Sequence, residues 1–211
     1  LGYVEQLYTF GDRGRSSTRE TPEIHFVSVG YLALVKNPNV VPPETGGLNW
    51  SSWYSHFPWA DWRQSQPGVL LSIILPALSA WVAEDSGAVN GANGMDRLAR
   101  FRLAFGCDPG ADNGFSIKSW DEERVLDLYE LMYEAGLVDE AVNDGRRTSI
   151  RMGSAQGKPM LHDHRRILAT AMARLRAKSK YRPVVFELLP ESFTLTVLQK
   201  TVETLSGRCL H

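Results

Sequence analysis

Residues 25–35 are the stretch that most restricts what this 211-residue chain can fold into. In an extended strand their side chains alternate between two faces, with Val29 and Tyr31 on one and Leu32 and Leu34 on the other, so that both faces are apolar. A strand of this kind is typical of the middle of a sheet that is covered on both sides. We therefore predict a central strand in a larger sheet.

The chain offers one other clear strand, at residues 1–10, which is too few to flank a central strand. Its apolar pattern is already under way at Leu1, and no initiating Met stands before it. We expect the other strands of this sheet to precede Leu1 in a longer protein.

Most of the remaining sequence is predicted to be helical, which gives an α+β fold class. Residues 69–84 fit a helix that tolerates Pro76 as a kink. Residues 119–143 fit a second helix, since Ser119 and Glu122 have capping-box spacing at its start. Further helices are predicted at residues 95–105 and 163–178, and an interruption of the 119–143 helix is predicted at Gly136.

Charges are segregated along the chain, although the net charge of -1 excludes a global attraction for nucleic acid or anionic lipid. Residues 121–144 are strongly acidic, whereas residues 158–182 are strongly basic, with Asp163 as the one opposing charge. Asp163 can also cap the helix at residues 163–178, whose apolar stripe includes Met172. We expect the arginines of this helix to cover its opposite side and to form a basic working face.

Composition places the chain among soluble globular proteins, with 43% hydrophobic and 22% charged residues. The longest apolar run, residues 69–78, is too short to span a bilayer and contains Pro76, so no membrane partner is expected. Cys107 and Cys209 fit no zinc or redox spacing. Free thiols in a reducing cytoplasm are the expected state of both.

Two clusters of side chains have both a functional and a structural interpretation. The aromatic residues at 50–62 could stack on a ligand, but large aromatics in such numbers more often join packed layers, which favours a core role. His162 and His164 could bind a metal with Asp163, but positions two apart on a helix face in different directions. The structural interpretation is favoured for both clusters, and no metal site is expected.

The C-terminal residues carry signals of a helix-turn-helix. A short helix is predicted at residues 184–189, and a second at residues 195–205 with Thr194 as its N-cap and Gly207 at its end. With the basic helix before them, these resemble the first parts of that motif. We expect its recognition helix to lie beyond His211.

Two separated stretches resemble one known family. YVEQLYTFGDRGR at residues 3–15, followed by VSVGYLALV at residues 27–35, resembles the second half of the Nudix domain in Nudix-related transcriptional regulators of NAD metabolism. DHRRIL at residues 163–168 and LPESFTLTVLQ at residues 189–199 are similar to the linker helix and winged-helix start of the same family. The residues between them resemble an insertion found in the longer alphaproteobacterial repressors of NAD biosynthesis.

The resemblance implies three regions: the C-terminal part of a Nudix-like domain at residues 1–65, a helical insertion at 66–157, and a linker helix with the first part of a winged helix at 158–211. The implied function is a regulator, specifically a repressor, of NAD biosynthesis or salvage genes that binds operator DNA as a cytoplasmic homodimer. In the family, the glutamate box that holds magnesium precedes the segment matching Leu1, and nothing in the chain replaces it. We therefore expect the chain not to be an enzyme.

The same resemblance guides the choice of site residues. The loop with Asp12, Arg13 and Arg15 could hold a pyrophosphate through guanidinium groups and backbone amides, or be an ordinary hairpin loop. The resemblance favours the ligand, expected to be NAD, ADP-ribose or a related nucleotide effector, and no cofactor is required. The residues expected to contact the DNA backbone are Lys180, Arg182, Thr194, Thr196, Lys200 and Arg208.

Two other functions remain open at this point. A Nudix hydrolase that acts on ADP-ribose or a related nucleoside diphosphate, with a C-terminal accessory domain, requires an intact glutamate box before Leu1. A protein-interaction module would use the acidic helix at residues 119–143. Stabilisation of the fold by a nucleotide would favour the regulator over the interaction module.

Overall fold

The computed structural model describes residues 3–11, 27–36, 50–84, 96–106, 120–146 and 152–210. These residues form a mixed α+β fold, as predicted, and none of their helices is long and apolar enough to cross a membrane. The regular elements are β1 (Tyr3–Phe10), β2 (Ser28–Leu34), α1 (Leu75–Ala83), α2 (Arg97–Phe105), α3 (Val125–Glu134), α4 (Asp139–Asn143), α5 (His164–Ser179) and α6 (Leu195–Ser206). Short 3-10 helices lie at Trp53–Ser55, Pro58–Ala60, Glu122–Arg124, Gly153–Gln156 and Val184–Leu188, and a π-helical stretch lies at Leu70–Ile74.

β1 and β2 form an antiparallel pair in which Tyr3 lies opposite Leu34 and Phe10 lies opposite Ser28. The register shifts at Leu7, the one residue of β1 between the two paired segments. A shift of this kind lets Leu7 and Phe10 both face the protein, although they are three positions apart. The inward face of the pair is therefore apolar, and Leu7, Phe10 and Leu34 are all buried.

Within the described residues, the outward face of the β1–β2 pair is exposed, so they cover only one face of the strand that was predicted to be central. Val29 and Tyr31 leave 47% and 63% of their surface exposed. Within the described ranges, β2 pairs with β1 alone. The predicted alternation of two faces every second residue is present in β2. An apolar side chain is not necessarily buried, however, because much of any protein surface is apolar.

The inward face of the pair lies on α5 through a close contact at Gly30. A Cβ atom built at Gly30 would lie 3.2 Å from Ile167 Cγ2 and 3.2 Å from Phe10 Cε2. That separation is tighter than ordinary van der Waals contact, so glycine allows the strand to approach the helix.

The predicted helix at residues 69–84 is continuous across Pro76 because its backbone widens before the proline. The π-helical stretch Leu70–Ile74 precedes α1, and the Leu75 backbone N–H donates to the carbonyl of Leu70. A proline inside an α-helix lacks one N–H donor and clashes with the carbonyl four residues earlier. The wider π-helical turn relieves this clash, so the helix is not broken.

The predicted helix at residues 119–143 is divided, and its start differs from the prediction. The Asp121 side chain accepts from the Glu123 backbone N–H at 3.0 Å and caps the turn Glu122–Arg124 that leads into α3. Asp121 therefore holds the cap position that was predicted for Ser119, which lies outside the described residues. The predicted interruption at Gly136 is confirmed, since this residue has a φ of 71° just after α3.

An aromatic core joins the loop segment at residues 50–62 to the helices. Phe57 and Trp59 are fully buried, and their ring centroids lie 5.7 Å apart in an edge-to-face arrangement. The Phe57 ring makes a similar contact with Tyr129 of α3 at 6.2 Å. The predicted core role is confirmed for these residues, whereas Trp50 is 64% exposed.

α5 lies between two buried clusters and contacts β1, α3 and α6. Ala169 and Met172 belong to the larger cluster, which includes the aromatic core and helices α1 to α3. The smaller cluster consists of Leu34, Leu175, Val184 and Leu205. α5 therefore connects the β1–β2 pair and α6 to the rest of the protein.

Candidate nucleic-acid interface

The helices predicted to meet DNA follow one another in the predicted order. α5 is followed by the 3-10 helix Val184–Leu188 and then by α6. The Thr194 side chain caps α6 by accepting a hydrogen bond from the Val197 backbone N–H at 3.3 Å. α6 ends at Gly207, whose φ of 76° lies in the left-handed region that glycine adopts most easily. Both predicted ends of α6 are confirmed.

Arg165 stands in the first turn of α5 and is completely buried. Its Nη2 atom lies 2.5 Å from Glu140 Oε2, and its Nη1 atom donates to the Gln156 carbonyl at 2.7 Å. The guanidinium carbon lies 5.1 Å from the centre of the Tyr129 ring, within the range of a cation–π contact. Arg165 therefore attaches the start of α5 to α3, α4 and the 3-10 helix Gly153–Gln156.

Arg176 stands near the other end of α5 and is also buried, with 1% of its surface exposed. Its Nε atom donates to the Leu205 carbonyl and its Nη1 atom to the Glu122 carbonyl, each at 2.9 Å. Its Nη2 atom lies 3.3 Å from both Tyr54 Oη and the Ala60 carbonyl oxygen. Burial lowers the pKa of Arg176, while the neighbouring Tyr54 and Glu122 oppose that shift. A cation beside the last carbonyls of α6 also favours that helix through its dipole.

The expectation that the arginines of α5 cover its solvent side is wrong for Arg165 and Arg176. Arg165, Ala169, Met172 and Arg176 follow at intervals of four, three and four residues, which places them on one stripe of a helix. Ala169 and Met172 are fully buried, so the two arginines share the buried stripe. The spacing of the two arginines indicates the buried stripe, whereas their charge alone indicates a solvent position.

The other cations of α5 pair with carboxylates of neighbouring elements. Arg166 forms an ion pair with Glu130 of α3. Arg174 Nη1 lies 3.5 Å from Glu5 Oε1, and Lys178 Nζ lies 2.6 Å from Glu5 Oε2. α5 therefore uses its basic residues to hold α3 and β1, and it does not present an unpaired basic face.

Two of the predicted DNA-contacting cations lie against an acidic turn. Lys180 Nζ lies 2.6 Å from Glu123 Oε1 and 3.2 Å from Glu122 Oε1. Arg208 Nε lies 2.9 Å from Glu122 Oε2. The hydrogen bond with Glu123 raises the pKa of Lys180 against the opposing effect of burial. Both side chains keep about half of their surface in solvent, 51% for Lys180 and 44% for Arg208.

Three other predicted residues, Arg182, Thr196 and Lys200, are exposed. In contrast to Lys180 and Arg208, neither Arg182 nor Lys200 forms an ion pair with any residue in the described ranges. Thr196, Lys200 and Thr204 are four residues apart along α6, so they lie on one face of the helix, and all three are exposed. We call this the outward face of α6; its exposed hydroxyl and ammonium groups can be reached by a binding partner.

The C-terminal end of α6 is anchored to the aromatic core, whereas its first turn is exposed. Tyr54 Oη donates to the Thr204 carbonyl at 2.6 Å, and the Trp62 backbone N–H donates to the Gly207 carbonyl at 2.7 Å. At the other end of the helix, Leu195 leaves 81% of its surface exposed. Residues 54–62 therefore set the position of the outward face of α6.

The predicted effector loop with Asp12, Arg13 and Arg15 lies outside the described residues. His162 and His164 are both exposed, with ring centroids 5.9 Å apart. In the described part of the chain, no group of three or more His, Cys, Asp or Glu side chains is placed to hold a metal ion.

Sequence reasoning missed the contact between the acidic turn and the C-terminal cations. The opposite charge of residues 121–144 and 158–182 was the available signal, because oppositely charged segments favour contact with each other. It did not identify Glu122 as the shared partner of Lys180 and Arg208, since that pairing depends on how α3, α5 and α6 pack.

No family model matches the chain, and no curated protein gives a significant match.

Proposed function

We propose that this protein is a transcriptional regulator, a repressor of NAD biosynthesis or salvage genes, that binds DNA as a cytoplasmic homodimer. The observation that carries the proposal is the outward face of α6, where Thr196 and Lys200 are exposed on a helix whose far end is anchored. The similarity of residues 189–199 to the start of a winged helix points to the same surface.

A surface that binds DNA needs cations and hydrogen-bond donors that can reach phosphate oxygens. Arg182 and Lys200 supply exposed positive charge, and Thr196 supplies a hydroxyl group. The first backbone N–H groups of a helix also attract anions, and the first turn of α6 is exposed. Contacts of this type fix the position of a protein on DNA without reading its sequence. We expect the present chain to bind duplex DNA weakly and without sequence preference.

The regulatory part of the proposal concerns the anchoring of α6. Because Tyr54 and Trp62 hold the C-terminal end of α6, a change in the packing of residues 50–62 would move the outward face. A nucleotide that binds one such arrangement better than another would change the affinity for DNA. We propose that a catalytically inactive Nudix-like region binds NAD, ADP-ribose or a related nucleotide, with Asp12, Arg13 and Arg15 in the effector loop.

Fluorescence anisotropy with a short labelled duplex, measured over a range of salt concentrations, tests the DNA-binding part. The double variant Arg182→Ala/Lys200→Ala should make the plot of log K, where K is the association constant, against log salt concentration less steep by about two. Each lost phosphate contact lowers the steepness by about one. The control Lys36→Ala/Lys158→Ala removes two exposed lysines elsewhere and should leave the slope unchanged. Equal slopes for the wild type and Arg182→Ala/Lys200→Ala contradict the proposal.

Thermal unfolding with added NAD or ADP-ribose tests the effector part. A ligand at one hundred times its Kd should stabilise the protein by about 2.7 kcal/mol, and Arg13→Ala should reduce this gain at the same concentration. A melting temperature that neither nucleotide changes contradicts the effector and favours the interaction module. Cleavage of ADP-ribose in the presence of Mg²⁺ would instead favour the Nudix hydrolase.

A further inference from the structure

We infer that the acidic turn formed by Asp121, Glu122 and Glu123 competes with DNA phosphates for Lys180 and Arg208, and so limits the affinity of the protein for DNA. The inference rests on the proposed function, because it concerns the regulation of the same surface. The turn before α3 would then affect DNA binding without touching DNA.

Lys180 is surrounded by all three carboxylates of the turn. Its Nζ atom lies 2.6 Å from Glu123 Oε1, 3.2 Å from Glu122 Oε1 and 4.0 Å from Asp121 Oδ1. The carboxylates therefore provide the negative charge next to the Lys180 ammonium group that a DNA phosphate would provide in a complex. A phosphate that contacts Lys180 therefore competes with these carboxylates for the N–H groups and the charge of the ammonium.

Glu122 links the second cation to the same turn. Its Oε2 atom lies 2.9 Å from Arg208 Nε, while its Oε1 atom faces Lys180. Because one carboxylate contacts both cations, Lys180 and Arg208 form one patch although they are distant in sequence. Arg182 is exposed and follows Lys180 by two residues, so release of this patch would add available positive charge close to Arg182 along the chain.

The backbone of the acidic turn is held in place by the core. The Glu122 carbonyl accepts a hydrogen bond from the buried Arg176 at 2.9 Å, and Asp121 caps the turn through the Glu123 backbone N–H. The Glu122 side chain is only 12% exposed. A competitor that is already ordered loses little conformational entropy when it binds the cations, so it competes effectively with a mobile anion.

The expected size of the effect follows from the exposure of the pairs. Lys180 keeps 51% of its surface in solvent, and ion pairs at this degree of exposure are weak and screened by salt. Removal of the Glu123 carboxylate should therefore raise DNA affinity by about two- to fivefold at low salt. A newly available phosphate contact should also make the salt dependence steeper by up to about one unit of slope.

Anisotropy titrations of Glu123→Gln against wild type test the inference. Glutamine keeps the shape of the side chain and removes its charge. The matched control is Asp127→Asn, which removes one carboxylate from the same acidic stretch and makes no ion pair with Lys180 or Arg208 in the described part of the chain. Glu123→Gln should bind DNA more tightly and with a steeper salt slope, whereas Asp127→Asn should match wild type. Circular dichroism checks that each variant is folded.

The Lys180→Ala background separates the proposed competition from a general loss of negative charge. On that background, Glu123→Gln should have no further effect, and a persisting gain overturns the inference. If wild type binds DNA and Arg182→Ala/Lys200→Ala weakens it, but Glu123→Gln equals wild type, the inference fails and the proposed function stands. If neither wild type nor Glu123→Gln binds DNA at low salt, both fail.

Discussion

α5 and α6 are neighbouring helices of one predicted DNA-binding motif, yet the structure uses their polar residues in opposite ways. α5 buries Arg165 and Arg176, at 0% and 1% exposure, and pairs its other cations with α3 and β1. α6 leaves Lys200 exposed, with no ion pair to any residue in the described ranges. A basic helix in a sequence therefore does not by itself locate a basic surface, since its position in the fold decides what its charges do.

The largest expected difference between the two helices concerns the buried pair of α5. Glu140→Ala should lower the free energy of unfolding by about 3–5 kcal/mol, because it leaves the buried Arg165 guanidinium without a carboxylate. Lys200→Ala on α6 should change it by less than about 0.5 kcal/mol. Urea denaturation measures both values.

The double variant Arg165→Met/Glu140→Leu is the control for this comparison. Replacement of both charges by apolar side chains should restore most of the lost stability, because no buried charge remains unpaired. A loss for Glu140→Ala as small as that for Lys200→Ala would show that α5 does not depend on its buried arginine.

A second comparison concerns the anchored end of α6. Gly207→Ala should destabilise the protein by about 2 kcal/mol or more, because φ is 76° there and a Cβ atom would lie 2.5 Å from the Ala60 carbonyl oxygen. Gly145 has a similar φ of 85°, but a Cβ atom there meets nothing within 4 Å. Gly145→Ala should therefore cost only about 1–2 kcal/mol. Thermal unfolding measures both losses of stability, and equal losses for the two substitutions would contradict the close contact at Gly207.

A smaller effect is expected at the exposed end of α6. Thr194→Ala should cost about 1 kcal/mol, because it removes the side chain that accepts from the Val197 backbone N–H. Thr196→Ala, on the outward face, should cost less than about 0.5 kcal/mol. Backbone amide hydrogen exchange in the first turn of α6 should become faster in Thr194→Ala and stay unchanged in Thr196→Ala. Equally faster exchange in both variants would show that the Thr194 side chain does not cap the helix.

The smallest effect is a pH dependence of the contact between β1 and α5. Burial acts to raise the pKa of Glu5, but hydrogen bonds from Lys178 and Tyr3 outweigh it and hold this pKa below 4.5. The contribution of Glu5 is therefore present above its unfolded-state pKa and is lost as pH falls through the lower folded-state value. The difference in unfolding free energy between wild type and Glu5→Gln, under about 1 kcal/mol at neutral pH, should shrink as the pH falls below 4.5. If the difference in unfolding free energy instead grows as the pH falls, the pKa of Glu5 is raised in the folded state, contrary to this prediction.

Local signals in the sequence predicted the parts of the fold that local chemistry decides. Thr194 and Gly207 marked both ends of α6, and Gly136 marked the break after α3. Each of these residues acts through a cap or a left-handed backbone, which involves only a few neighbouring positions. Such features depend little on the rest of the chain.

Features that depend on distant partners were not predictable in the same way. Charge alone suggested a solvent position for Arg165 and Arg176, whereas their spacing, which placed them on the buried stripe, was the better guide. The exposed face of β2 and the pairing of Glu122 with Lys180 and Arg208 follow from packing between elements. No local pattern specifies which of several acids will meet a given cation.

Two double variants that each remove two cations show most directly which helix contacts DNA. Arg182→Ala/Lys200→Ala removes exposed residues without ion pairs in the described ranges, and Arg166→Ala/Arg174→Ala removes ion-paired residues of α5. The measurement is the slope of log K for duplex DNA against log salt concentration. The slope should become less steep by about two for the first variant and stay unchanged for the second. A less steep slope for the α5 variant, together with an unchanged slope for Arg182→Ala/Lys200→Ala, would contradict the proposal that Arg182 and Lys200 contact DNA.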